Sequence, residues 1–192
     1  MPRLFTGIEI PAAIAEMMTH LRGGLPRAHW TETDNYHLTL RFIGDIDMIK
    51  AEAVAEGLSR VRRRRFELSL VGVAALGTRN PHVIAALAGP APPLTELQAE
   101  HERICQRLGL PPEGRKYTPH VSLARLRNVS QHAIAEYLGL RGAFRAGPFM
   151  VDRFVLFSAR NATGGGPYVV EETYPLYREP APSGVSLPWP TG

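Results

Sequence analysis

The sequence predicts an α+β fold built mostly of antiparallel sheet. Three observations carry this. Apolar residues recur at helical spacing in some segments and at every second residue in others. Several of the period-2 segments are joined by tight turns, which favours hairpins over a doubly wound parallel sheet. Each half of the chain also offers a helix, then a histidine-headed strand, then another helix. Two similar lobes facing a central cleft, helices outside, account for that echo.

The elements follow in order. Residues 3–10 alternate as a strand. Residues 12–25 form a helix, with Ile14, Met17, Met18, Leu21 and Leu25 on one face and Pro11 at its start. A loop with Trp30 leads to strand 37–43, which Gly44 ends. Asp47 caps the next helix, whose apolar stripe is Ile49, Ala53, Val54, Leu58 and Val61. Strand 66–76, the turn GTRNP and strand 82–89 make a hairpin, and PAPP breaks the chain. Residues 94–108 form a helix with Leu97, His101, Ile104 and Cys105 on its apolar face. A loop leads to strand 121–126 and to a short helix 130–139 capped by Ser130. Two strand zones, 148–159 and 168–176, flank the Gly-rich turn NATGGG. The expected organisation is one bilobal domain over 1–178 and a flexible Pro/Gly-rich tail over 179–192.

The chain has 192 residues, 44% of them hydrophobic, enough for one substantial core. No apolar run reaches about 18 residues, and the N-terminus lacks the pattern of a signal peptide. A single cysteine, Cys105, makes an internal disulfide impossible and points to the cytoplasm. Net charge is +4, and only Lys50 and Lys116 among the 22 basic residues are not arginine. A basic protein suits an anionic partner such as RNA, though such a composition also reflects G+C-rich coding. The run Arg62–Arg65 follows a helix and reads first as a solvated helix end.

Two tetrapeptides share one formula: His37-Leu38-Thr39-Leu40 and His120-Val121-Ser122-Leu123. Strand alternation sends Leu38, Leu40 and Phe42 to a core and leaves His37, Thr39 and Arg41 on the other face. The same phase pairs His120 with Ser122. One histidine at a strand head is ordinarily structural; two, each in strand phase beside a hydroxyl, point to one site. Imidazole titrates near neutrality, so one ring can take a proton while the other gives one. The hydroxyls can donate to the non-bridging oxygens of a phosphate. No metal and no cofactor is needed by this scheme, and the spacing offers no HxH or HExxH set. Cys105 and His101 read as packing. His82 could reach a cleft; His20, His29 and His132 have no supporting pattern. TGGGP lacks the Lys and Ser/Thr of a phosphate-binding loop.

These motifs resemble those of the 2H phosphoesterase superfamily, named for two His-x-Thr/Ser-x motifs. The chain is most similar to the RNA 2′,3′-cyclic phosphodiesterases, the LigT-like proteins historically called 2′-5′ RNA ligases. The likeness runs over about 3–177 and includes RLFTGIEIP, HLTLRFIGD, GRKYTPHVSLAR and FVLFSAR. It implies two four-stranded antiparallel sheets facing a cleft, and hydrolysis of an RNA or nucleotide 2′,3′-cyclic phosphate to a 2′-phosphate. It further implies His37 as donor to the 3′-oxygen and His120 as acceptor from water. The physiological RNA could be a tRNA half or a small nucleotide, and the protein is expected to be a monomer off the membrane. Alternatives are 2′-5′ ligation, a small cyclic nucleotide such as an ADP-ribose cyclic phosphate as substrate, or a non-catalytic RNA-binding module. Thr39 and Ser122 are implied to bind substrate; Ser122 lacks the β-branch that stiffens the more usual threonine. Arg115 and Arg125 match arginines common around the second motif, although Arg125 falls on the core phase of its strand. Phe5 and Tyr117 could stack on a base but read first as core.

Overall fold

The computed structural model describes residues 3–77, 80–159 and 167–177. The NATGGG turn and the tail 179–192 lie outside these residues. Within them, nine strands and four helices follow the order β1 (Arg3–Glu9), α1 (Ala12–Thr19), β2 (Ala28–Trp30), β3 (His37–Asp45), α2 (Met48–Ser59), β4 (Phe66–Leu76), β5 (Val83–Ala88), α3 (Pro92–Arg107), β6 (His120–Leu126), α4 (Gln131–Arg141), β7 (Arg145–Val151), β8 (Arg153–Ala159) and β9 (Tyr168–Pro175). A short 3-10 turn, Thr33–Asn35, precedes β3.

Local chemistry sets the element ends. Asp47 accepts from the Lys50 amide and Ser130 from the Ala133 amide, so both expected caps are in place. α1 stops at Thr19, earlier than its apolar spacing suggests, because Gly23 and Gly24 at φ +89° and +79° turn the chain away. Leu21 and Leu25 are buried all the same. Ala28–Trp30, expected as loop, forms a short strand on β6. The single strand zone expected at 148–159 is two strands that part at Asp152.

The strand order is β7-β4-β5-β6-β3-β1-β8-β9, with β2 beside β6. All of these neighbouring strands pair antiparallel. The two expected sheets are thus the halves β7-β4-β5-β6 and β3-β1-β8-β9. A single backbone pair between β3 and β6, Leu38↔Val121, joins these two strands among the described residues. The helices cover the halves in pairs: α1 packs on β7 and α4 on β4, while α2 and α3 pack together against β9 and β3. The chain crosses repeatedly between the halves, and most buried side chains merge into one core. Leu38 and Val121, both at 0% exposure, lie in that core. Each such side chain contributes about 1.5–3 kcal/mol by leaving water.

Among the described residues no helix is long and apolar enough to cross a membrane.

Candidate active site

β3 and β6 carry the two motifs, and their burial patterns match. In β3, Leu38 and Leu40 are buried while His37 and Thr39 stay partly exposed. In β6, Val121 and Leu123 are buried while His120 and Ser122 stay partly exposed. The Leu38↔Val121 pair fixes the register. It sets His37 opposite Ser122 and Thr39 opposite His120, all four on the face away from the core. The histidines then stand on a diagonal, where backbone positions are roughly 7–8 Å apart. Two imidazoles and two hydroxyls therefore share one patch at the junction of the halves.

Strict alternation fails one residue later in both strands, and for one reason. β1 pairs Gly7 with Thr39 but Thr6 with Arg41, so Leu40 is an extra residue, a β-bulge. β5 pairs Ala85 with Ser122 but Ile84 with Ala124, so Leu123 is the equivalent bulge. Side-chain phase reverses past each one. Arg41, expected beside His37, turns inward and is 6% exposed. Phe42, expected in the core, turns to the motif face and is 53% exposed. Arg125 takes the equivalent place in β6 and is exposed on the face of His120 and Ser122, not on the core phase expected of it. Arg115 stands in the loop before β6 and is ion-paired with Glu113 at 3.0 Å.

Both rings are held alike. His37 Nδ1 lies 2.8 Å from the Asn35 carbonyl, and His120 Nδ1 lies 2.7 Å from the Thr118 carbonyl. A carbonyl only accepts, so each Nδ1 carries the proton and each Nε2 is the nitrogen left for proton transfer. Their surroundings differ. His37 is walled by Phe5 at 4.9 Å, Tyr168 at 4.8 Å edge-on and Phe157 at 5.6 Å between ring centroids. Burial in this box pulls its pKa down to about 4; the Asn35 carbonyl opposes the shift and charge on His120 adds to it. Phe5, read first as core, is buried in a small second core cluster with Val155 and Phe157, and one side of it forms a wall of the His37 box. Tyr117 packs against the main core and donates from its hydroxyl to the Thr39 carbonyl at 3.2 Å. Sequence reading gave no role to Phe157 or Tyr168. The signal available was that Phe157 lies in FVLFSAR, one of the stretches that carry the likeness, and that both aromatics come from the two predicted strand zones around the Gly-rich stretch.

A groove of about 480 Å³ opens beside His37, lined by Glu9, Asn35, Tyr36, Phe157 and Tyr168 among others. Pockets for small ligands usually measure about 300–1,000 Å³. His82 is exposed at the start of β5, and its amide bonds Leu76 in the hairpin. His101 is fully buried against Phe154, its Nδ1 2.8 Å from the Thr6 hydroxyl. Arg63, from the arginine run, is tied to Glu96 and Glu100 of α3 at 2.6 and 2.5 Å. Among the described residues no three His, Cys, Asp or Glu side chains are grouped to hold a metal ion.

The sequence pattern of the family described as "LigT like Phosphoesterase" matches residues 8–85 and 87–168, one match for each histidine motif. The chain belongs to this family. It is 26% identical over 181 residues to the RNA 2′,3′-cyclic phosphodiesterase of Aquifex aeolicus, covering 90% of this chain and 96% of that one. To the protein of the same name from Aeropyrum pernix it is 37% identical over 100 residues, which span 51% of this chain and 57% of that relative. The fold is that of Escherichia coli LigT, crystallised with 3′-AMP. The TM-score is 0.76 at 25% identity, over 93% of this chain and 100% of that one. A protein of Thermus thermophilus superposes with the same TM-score of 0.76 at 19% identity, over 91% of this chain and 97% of that one, a likeness of fold alone.

Proposed function

We propose that this LigT-like phosphoesterase hydrolyses RNA or nucleotides ending in a 2′,3′-cyclic phosphate, leaving a 2′-phosphate. The observation that carries the reading is the pair of matched imidazoles, each with its Nδ1 proton on a carbonyl two residues back, on adjoining strands. The names of the Aquifex and Aeropyrum relatives and the nucleotide bound to the Escherichia coli structure support the same chemistry.

In this reading the cyclic phosphate sits between the rings. His120 Nε2 takes a proton from water as its oxygen attacks phosphorus. The bond from phosphorus to the 3′-oxygen breaks, and His37 Nε2 gives its proton to that oxygen. One proton shared by the pair is all the step needs, and each transfer contributes typically about 10²–10⁴ in rate. Before substrate binds, burial keeps His37 neutral. A phosphate anion beside it in the same apolar box favours the protonated ring, so substrate binding itself arms the donor. Thr39 and Ser122 donate hydrogen bonds to the non-bridging oxygens as charge develops there. Arg125 meets the phosphate or the chain behind it, a task suited to a planar guanidinium. Arg115, held by Glu113, lies further out.

The domain covers 1–178, acts as a monomer on RNA ends and works in the cytoplasm, as its lone buried cysteine favours. The test is turnover of an oligonucleotide with a 2′,3′-cyclic end. Tight binding with no ring opening would sink the assignment.

A further inference from the structure

One arginine next to the first motif is wired to the second. Arg41 follows the Leu40 bulge, so its guanidinium lies on the core side of β3, 6% exposed. It directs its fork at three partners: the Phe42 carbonyl, the Pro111 carbonyl at 2.5 Å, and the Glu102 carboxylate of α3 in a close ion pair. Glu102 also accepts from the Glu113 amide at 3.0 Å and from Gln106 at 2.7 Å. Burial pushes the Glu102 pKa up, but its bonds with Gln106, Glu113 and Arg41 prevail and hold it below the ordinary value. Pro111 and Glu113 belong to the loop 109–119 that carries the chain from α3 into β6. Further along that loop, Tyr117 donates to the Thr39 carbonyl of β3, and Thr118 presents the carbonyl that fixes the His120 ring.

We infer that Arg41 is a positioning residue for His120: with Glu102 it clamps loop 109–119 to the back of β3 and so sets where the second histidine stands relative to the first. Strands β3 and β6 share only the Leu38↔Val121 backbone pair among the described residues, so register alone holds the motifs together loosely. The loop supplies the second strut. Pro119 is fixed from its own half by the Ala88 amide at 3.0 Å. Thr118 lies between that anchor and Tyr117, so its carbonyl is aimed only while the loop stays on β3. The equivalent bulge in β6 is followed by Ala124, which cannot reciprocate. A lysine at 41 would keep the charge but reach one partner at a time. The inference rests on His120 being catalytic.

The test uses the full chain with a nucleoside 2′,3′-cyclic phosphate. Arg41→Met alone strands a buried carboxylate, so the informative variants are Arg41→Met with Glu102→Leu, which replaces the ion pair by apolar groups, and Arg41→Lys. Measured for each are kcat, KM, Tm and amide exchange in 109–119. The double variant should melt cooperatively near wild type, exchange faster in the loop, hold KM within about two-fold and lose kcat about ten-fold or more; misplacement by about 1 Å can cost 10²-fold. Wild-type kcat in the double variant would overturn the clamp. Should the double variant not fold, Arg41→Lys decides: a folded protein with kcat about ten-fold down supports the clamp, and wild-type kcat with a loosened loop rejects it. His120→Ala, assayed beside them, separates the premises: turnover surviving there refutes the role of His120 itself, whatever the arginine variants do.

Discussion

Acid should unfold this protein through His101, by an amount that can be worked out. The ring is fully buried between β1 and α3, hydrogen-bonded to Thr6 and packed on Phe154. Burial pulls its pKa from 6.5 to about 3. An unfolded chain binds that proton near pH 6.5 and the native fold does not until about pH 3. Stability from this group is therefore complete above 6.5 and lost as pH falls toward the folded value. Each unit of pH well inside that window removes about 1.4 kcal/mol. His37, depressed to about 4, has the same sign and adds a similar slope. Asp45, Glu102 and Glu113, all held below their ordinary values, contribute lower down, so the clean window is about pH 6.5–5. Urea unfolding at intervals across it should show a slope that steepens from about 1.4 kcal/mol per pH unit at 6.5, where each unfolded ring is half protonated, toward about 2.7 near pH 5 from the two rings. His101→Gln removes one titration and should halve that slope, whatever it costs in absolute stability. Equal slopes in wild type and His101→Gln would refute the reasoning, because the buried ring would then titrate as it does unfolded.

Three further outcomes follow from the site. An NMR titration of the His37 ring in the free protein should show it protonating near pH 4; protonation near 6.5 would mean the aromatic box does not depress this ring. Gly7→Ala would put a methyl group 2.9 Å from the Leu38 carbonyl and 3.2 Å from Phe157, so it should cost about 1–3 kcal/mol in denaturant unfolding and lower kcat as the box shifts. A variant as stable and active as wild type would show that the strand pair and the box yield freely. Under the proposed scheme, which draws both acid and base from imidazoles, turnover should survive EDTA; loss that zinc or magnesium restores would contradict it.

Much of this was legible because period-2 and helical spacing are local signals. His37 with Thr39 and His120 with Ser122 share a face through alternation alone, and Asp47 and Ser130 cap helices as their chemistry dictates. The bulges at Leu40 and Leu123 were not legible. A bulge adds one residue without changing residue type, and both lie within runs of plausible strand residues. Their trace was a conflict: alternation sent Arg41 to the motif face and Arg125 to the core, and each does the reverse. Long-range partners were also out of reach. Nothing local says that Arg41 meets Glu102, that Thr6 meets His101 or that Phe157 and Tyr168 wall in His37. Helix α1 ran short of its apolar spacing because two glycines with positive φ outweighed it.

Phosphorus-31 NMR of a nucleoside 2′,3′-cyclic phosphate turned over by wild type, His37→Ala and His120→Ala measures the central claim most directly. Wild type should yield only the 2′-phosphate, and each variant, still folded, should lose about 10²-fold or more in rate. A 3′-phosphate product, or near wild-type turnover by either variant, would contradict the account.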